Sequence, residues 1–389
     1  MNMSTSRPLH GLRVVEFGQY IAVPAAAQVL ADLGADVIKV EPPGGDASRH
    51  AGWSADDCGP MFCAFNRGKQ SVVLDLRNAA DVAAARELAL SADIVLQNAR
   101  PGVMEKFGLG AEQLRAVQPR LIYASVNGFG DAGADATRPG LDVAAQAESG
   151  IMALNGDAHA DPTRVGFTVV DMMAARTLST AALAALVQRG IGGNGAHIRI
   201  SLIDVALDML AHPWAEYQLT GEVPSRCGNG QATMAPAADV LDTGDGKLVV
   251  SAYVQDHFAR LCNCLDRPDM PADPRFCDNT ARVANRSALR AALTEALAGM
   301  SADAACAKLT RAGVVCGVVR DVDGALEHAR ANMPERLVTA TTPDERELCF
   351  PALPISIDQM PRQGGALPAL GEHTASVIAS LAKACSKAA

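Results

Sequence analysis

Several quick assignments are closed to this chain by what it does not contain. No G-x-G-x-x-G follows its first strand, where only Gly18 precedes Pro24, so a phosphate-cradling dinucleotide loop is not supported. No G-x-S-x-G elbow is present to serve a serine hydrolase. His50, His159, His212, His257 and His373 share no metal-ligand spacing and read as surface or packing residues. Ten cysteines are scattered from Cys58 to Cys385 without the spacing of a disulfide framework, Cys262 and Cys264 being the closest pair. They read as reduced core thiols, and no second Cys/His pair completes a zinc site.

Positive charge is also short. With 34 Lys and Arg against 43 Asp and Glu, the formal net charge of −9 argues against a general nucleic-acid or anionic-membrane surface and leaves any anionic ligand to local basic residues. The opening MNMSTSRPLHGL has no apolar signal-peptide core, and no uninterrupted apolar run is long enough to span a bilayer. The expectation is a cytoplasmic protein without a membrane or nucleic-acid partner.

What is present is a long apolar chain, 389 residues and 49% hydrophobic, enough for two domains. Leu12–Phe17 reads as a strand, Pro24–Leu33 as an alanine-rich helix stopped by Gly34, and Ala35–Val40 as the next strand. Strands at Ser71–Leu76, Ile94–Leu96 and Leu121–Val126 and a helix at Ala79–Leu90 continue the alternation, which predicts a parallel, doubly wound sheet. His197–Ser201 is extended and Leu202–Tyr217 a long helix. A hairpin follows across Gly244-Asp245-Gly246, then helices near 256–265, 287–299 and 302–311, a strand at Val314–Val319 and a closing helix at Thr374–Lys383. No internal repeat is evident.

Ligands of such sheets lie beyond the carboxyl ends of the strands. Those positions carry Gln19, Tyr20, Glu41, Arg77, Asn98, Arg100, Asn127 and Gly128, with Arg67, Lys69 and Lys106 close by in sequence. Dispersed cations around strand ends suit a ligand with separated phosphates, although singly each is more often a solvated charge. One acid stands out. Val165–Val170 reads as a short buried extended run, Asp171 follows, and an apolar helix follows that. From pattern alone a helix N-cap ranks above catalysis; the sharper reading is an anion near a helix start, available as a nucleophile.

The ordered motifs Gly11-Leu12-Arg13-Val14-Val15-Glu16-Phe17, Gly34-Ala35-Asp36-Val37-Ile38-Lys39-Val40-Glu41, Asn66-Arg67-Gly68-Lys69-Gln70-Ser71 and Asn98-Ala99-Arg100-Pro101-Gly102 resemble the class III coenzyme A transferases. The likeness runs on through Gly140-Leu141-Asp142, the Val165–Asp171 run and Pro368-Ala369-Leu370-Gly371-Glu372-His373, weakening only around Arg267 to Arg346. It implies an α/β fold with a Rossmann-like large domain, a smaller α+β domain and an open-ring subunit that interlocks with a second copy. With the sequence reading, residues 1–200 and 331–389 are expected to form the large domain, 201–225 a linker helix and 226–330 the small domain.

The resemblance also implies chemistry. Asp171 falls at the family's catalytic aspartate, which attacks an acyl-CoA donor and passes through a mixed anhydride and an aspartyl-CoA thioester. Asp142 matches an acidic position that orients the acceptor or serves a structural hydrogen bond, and Gly140, Gly228 and Gly230 are candidate oxyanion donors or simply turn glycines. Tyr20, Ile21, Arg77, Asn98, Arg100 and Lys106 match CoA-contacting positions, with Arg138 beside another. The arginine that some members carry after Glu41 is Pro42 here. CoA or acyl-CoA is thus expected as substrate, with no permanently bound cofactor and no metal. The partner substrate is a carboxylic acid, preferably a small dicarboxylate that Arg138 or Arg164 can pair with. The rival reading, an α-methylacyl-CoA racemase, needs a second acid/base group, typically a His where this chain has Leu141.

Overall fold

The computed structural model describes residues 7–52, 57–230 and 237–388. The first six residues, part of the opening segment read above, and Gln231, the end of a polar segment from Pro224 to Gln231 that reads as a domain boundary, lie outside the described residues. In chain order the elements of the first half are β1 (Arg13–Phe17), α1 (Ala22–Asp32), β2 (Asp36–Glu41), α2 (Pro60–Phe65), β3 (Gln70–Val73), α3 (Ala79–Leu90), β4 (Ile94–Gln97), α4 (Val103–Lys106), α5 (Ala111–Val117), β5 (Ile122–Asn127), α6 (Asp142–Ser149), α7 (Ile151–Leu154), α8 (Val169–Gly192) and β6 (His197–Ser201). Every pairing in the order β3-β2-β1-β4-β5-β6 is parallel. That order puts the topological switch point between β1 and β4, where two neighbouring loops leave in opposite directions and open a crevice.

The strands read as unbroken apolar runs because both faces are covered: β4 and nearly all of β2 and β5 are buried. All eleven residues of α1 are buried, and its alanines let it sit between the sheet and α8. Pro24 falls in its first turn, where no intrahelical donor is needed, and Gly34, at φ 107°, ends the helix in a conformation that a side chain disfavours. By length and composition α8 is apolar enough to cross a membrane. Its Val170, Ala174, Leu178 and Ala182 are nonetheless buried in the fold, against α1, β5 and β6.

The remaining elements are α9 (Leu202–Asp208), α10 (Ala211–Thr220), β7 (Ala238–Asp242), β8 (Lys247–Ser251), α11 (Gln255–Cys264), α12 (Asn279–Ala284), α13 (Arg286–Leu297), α14 (Ala302–Arg311), β9 (Val315–Val318), α15 (Val322–Asn332), β10 (Leu337–Thr341), β11 (Glu347–Pro351), β12 (Gly365–Ala366) and α16 (Thr374–Ala388). The single helix expected over Leu202–Tyr217 is two, broken between Asp208 and Ala211. The chain divides into two compact units. One holds the described residues up to Ser149, Gly166–Met209 and Ala329 onward; the other holds Gly150–Val165 and Leu210–His328. The chain's end rejoins the first core, since Val377 and Leu381 of α16 pack with Val72, Leu88, Val95 and Tyr123.

The second unit is a three-stranded antiparallel sheet, β7-β8-β9, covered by helices. Phe258, Leu261, Leu289, Leu293, Leu297 and Leu309 fill its core against Leu248 and Val250. The third sheet, β11-β10-β12, belongs to the first unit.

Candidate active site

Two adjoining hollows open in the first unit at the carboxyl ends of β1 to β5, sharing Phe17, Gln19 and Ala99. One, of ≈ 500 Å³, is lined by Tyr20, Ile21, Asn98, Arg100, Arg138, Gly140 and Asp171 among others. The other, of ≈ 540 Å³, is lined by Glu41, Pro42, Leu74, Asp75, Arg77 and Met104 among others. No histidine lines either among the described residues.

The expected buried extended run before Asp171 is not a strand. Gly166 and Phe167 form a bend with Phe167 62% exposed, and α8 begins at Val169. Asp171 is therefore the third residue of α8 rather than its cap; Thr168 holds the cap position without a side-chain bond. The capping function belongs to Asp142, whose Oδ2 accepts from the amides of Val170 (2.8 Å) and Asp171 (3.2 Å). A carboxylate from α6 thus satisfies the open amides at the start of α8. Its Oδ1 accepts from Gln146 Nε2 at 2.6 Å, so both oxygens are occupied.

The Asp171 carboxylate is left with no hydrogen bond or ion pair among the described residues. Burial first, and the Asp142 charge second, raise its pKa from 3.8 to about 7. A carboxylate at the first turn of a helix is normally favoured as an anion. Here desolvation wins, leaving an anion that is poorly solvated when formed and therefore reactive.

The glycine beside it is fixed by a backbone contact. A Cβ on Gly140 would stand 2.5 Å from Gly128 Cα, so only glycine lets the two chains pass. The Gly140 amide carries no hydrogen bond among the described residues. Gly228 and Gly230 lie in the second unit. Their amides already donate within loops, to Gly156 O at 3.1 Å and Cys227 O at 3.4 Å, and a Cβ on Gly230 would collide with Arg286.

The basic residues divide sharply. Arg67 and Lys69, expected near the ligand, are buried instead: Arg67 pairs with Asp32, and Lys69 Nζ bonds Glu16 Oε2 (2.6 Å), Pro24 O and Asn66 Oδ1. Arg77 is exposed and reaches both oxygens of Asp75. Arg138 pairs with Asp135 and Glu148 and stacks on Phe129 at 4.2 Å. Arg100 and Lys106 are exposed and have no ion-pair partner among the described residues. Asn98 exchanges two hydrogen bonds with the Gln19 backbone, tying the β1 and β4 loops together across the switch point. Ile21 is buried, and the exposed Tyr20 before it takes φ 64° with its amide donating to Asp46 Oδ1.

Asp46 was not legible as a site residue. It accepts from Tyr20 N and Ser48 N and pairs with Lys39 Nζ at 2.7 Å. The only sequence signal is an Asp two residues before a Ser, the pattern of a short capped turn. Among the described residues no group of His, Cys, Asp and Glu has the arrangement of a metal site.

These features define a doubly wound α/β protein with a carboxylate-bearing cleft at its switch point. The chain belongs to the CoA-transferase family III, whose model matches residues 9–374, and it is a CoA-transferase. It is 36% identical over 374 residues to the acetyl-CoA:oxalate CoA-transferase of Acetobacter aceti, covering 95% of each chain. It is 36% identical over 384 residues to the succinate–glutarate CoA-transferase of Agrobacterium fabrum, covering 96% of each. Among solved structures it superposes on a CAIB/BAIF family protein from Brucella suis with TM-score 0.86 and 34% identity, over 97% of this chain and all of that one.

Proposed function

We propose that this enzyme moves CoA from an acyl-CoA donor to a carboxylic acid through covalent chemistry at Asp171. The observation that carries the reading is the Asp171 carboxylate itself, unpaired in the cleft and driven to about 7 by burial and Asp142. An Asp171 oxygen attacks the donor thioester carbonyl, the C–S bond breaks, and CoA leaves as thiolate, giving a mixed anhydride. The thiolate attacks the aspartyl carbon, releasing the donor acid and leaving an aspartyl-CoA thioester. The acceptor carboxylate then attacks that thioester, forming a second anhydride. CoA thiolate opens it at the acceptor carbon and frees Asp171. No step needs ATP or a metal. The Gly140 amide is suited to the tetrahedral oxyanions, and Asp142 acts as a positioning residue through the α8 amides.

Arg100 and Lys106 are assigned to the phosphates of CoA because their charges are unoccupied, with Arg77 and Arg138 secondary. A small dicarboxylate acceptor is supported by the oxalate and glutarate named for similar enzymes. The active form is proposed as an interlocked homodimer, a reading supported by α10. That helix buries none of its own residues and exposes Trp214, Tyr217 and Leu219. A cytoplasmic location is carried with it as a proposal.

The test is intact-protein mass spectrometry after mixing with an acyl-CoA panel, with hydroxylamine or borohydride trapping and peptide mapping. An adduct on Asp171 that is absent in Asp171→Ala supports the route. No adduct with any donor, together with exchange of the α-proton of a branched acyl-CoA for deuterium, would replace it with racemisation.

A further inference from the structure

Two cysteines that read as scattered core thiols lie side by side. Gly59 caps α2, so Cys58 takes the position before the cap and Cys63 the fourth helical position, the pair that touches when a helix entry is stapled. Their sulfurs are 3.4 Å apart, the Cys63 thiol donating to Cys58 Sγ and lying 3.1 Å from the Cys58 carbonyl. Cys63 is buried and Cys58 partly exposed, so one sulfur faces solvent and the other waits behind it. Donation from Cys63, and the nearby Arg49 and Arg346 cations, hold Cys58 below the usual thiol range against its own burial. The Cys58 contact and burial push Cys63 above that range. This is the division of labour of an attacking and a resolving thiol.

We propose that Cys58 and Cys63 are a peroxide-oxidised dithiol that closes to an intramolecular disulfide. The Cys58 thiolate attacks one oxygen of a hydroperoxide and the O–O bond breaks. With hydrogen peroxide the leaving hydroxide takes a proton to become water, and Cys58 becomes a sulfenic acid. Cys63 then gives up its proton and its sulfur attacks the Cys58 sulfur. The S–O bond breaks and the sulfenic oxygen departs as a second water. The two thiols lose two electrons and the peroxide gains them.

The pair is wired to the cleft. The Arg49 guanidinium lies 3.7 Å from the Phe62 ring centre and donates to Asp57 O at 3.0 Å, next to Cys58. Its Nε and Nη2 hold the two oxygens of Glu41 at 2.7 Å each, and Glu41 and Pro42 line the second hollow. Drawing the sulfurs in to a bond of about 2.05 Å moves residues 57–63 against Arg49. The consequence for acyl-CoA binding rests on the transferase reading above; the disulfide does not.

The experiment treats the reduced full-length enzyme with hydrogen peroxide, blocks remaining thiols with an alkylating agent and digests with trypsin. The peptide from His50 to Arg67 contains both cysteines. It should appear two hydrogens lighter, unalkylated and reversible with dithiothreitol. Cys63→Ser should trap Cys58 as a sulfenic acid captured by dimedone, while Cys58→Ser should leave Cys63 unreacted. A peptide that stays fully alkylated at doses that oxidise other thiols, or dimedone capture at Cys63 ahead of Cys58, overturns the proposal. The oxidised wild type should also show a KM for acyl-CoA raised several-fold with kcat retained, reversed by reductant and absent in Cys63→Ser. An unchanged KM in fully linked enzyme would refute the coupling to the cleft. The mass readout needs no turnover, so failure of the dithiol and failure of the transferase reading are told apart.

Discussion

Replacing Asp171 by asparagine should abolish transfer and make the protein more stable at alkaline pH. The folded protein raises this carboxyl from 3.8 to about 7, by burial and then by Asp142. Between those values the native state holds a proton that the unfolded chain has released, so stability falls as pH rises through that window. Below the unfolded pKa the group carries no penalty, and above about 7 the native state bears the whole of it. At ~1.36 kcal/mol per pKa unit the rise corresponds to about 4 kcal/mol, reduced to about 2–4 by water entering the cleft. Asparagine keeps the shape and never ionises. It gives up a favourable charge at a helix start, worth about 0.3–1 kcal/mol, which is too small to reverse the sign. Urea unfolding of both proteins at about pH 4 and about pH 8 reads the difference directly. The variant should gain at the higher pH and match the wild type at the lower. Equal differences at both pH values, or a variant weaker at pH 8, would refute the claim that Asp171 is a desolvated, unpaired acid.

Three further outcomes follow from the same geometry. Donor acylation should rise with pH through about 7 as Asp171 ionises, and Asp142→Asn should move that limb to lower pH while keeping an acceptor for the α8 amides; kcat/KM against pH measures both. Arg100→Gln and Lys106→Gln should each raise the KM for acyl-CoA about 10-fold or more, the loss of one charge-assisted bond, while Arg77→Gln changes it little because Asp75 already holds that guanidinium; steady-state kinetics separate them. Lys39→Met should destabilise by about 3–5 kcal/mol, since it leaves the buried Asp46 without its cation and Glu16 with Lys69 alone, and thermal unfolding with urea titration gives the value.

The sheet was legible because parallel strands buried on both faces leave continuous apolar runs, and because Gly34 marks a helix end. The positions after β1 and β4 were legible for the same topological reason, and Gln19, Asn98 and Arg100 do meet in one cleft. The start of α8 was misread. Asp171 stands where an N-cap is expected, but α8 begins two residues before it, and the open amides at that start, those of Val170 and Asp171, are taken by Asp142, 29 residues before Asp171. A cap supplied from another helix has no local pattern. The apolar run 165–170 likewise looked like a strand, yet Phe167 faces solvent within its unit and the run belongs to no sheet among the described residues. Cys58 and Cys63 escaped notice because a spacing of five is unremarkable unless a helix begins between them.

Arg67 and Lys69 were misplaced for a deeper reason. A cation near the mouth of a parallel sheet looks the same in sequence whether it faces ligand or floor. Lys39 and Lys69 both point into the floor, and each has its three donors occupied: Lys39 by Glu16, Asp46 and Gly18 O, Lys69 by Glu16, Pro24 O and Asn66. Burial alone would lower the pKa of Lys39, but Glu16, Asp46 and Glu41 outweigh it and raise it. Such a network adds little net stability over an apolar core, because the desolvation of four or more charges offsets their attraction. What it does is fix positions. Lys39 holds Gly18 O on one side and Asp46 on the other, and Asp46 in turn holds the amide of Tyr20 at φ 64°, a backbone state that a tyrosine does not adopt without restraint. The Tyr20 wall of the cleft is therefore set by charges buried beneath it, and the cations left exposed are those that the floor does not use.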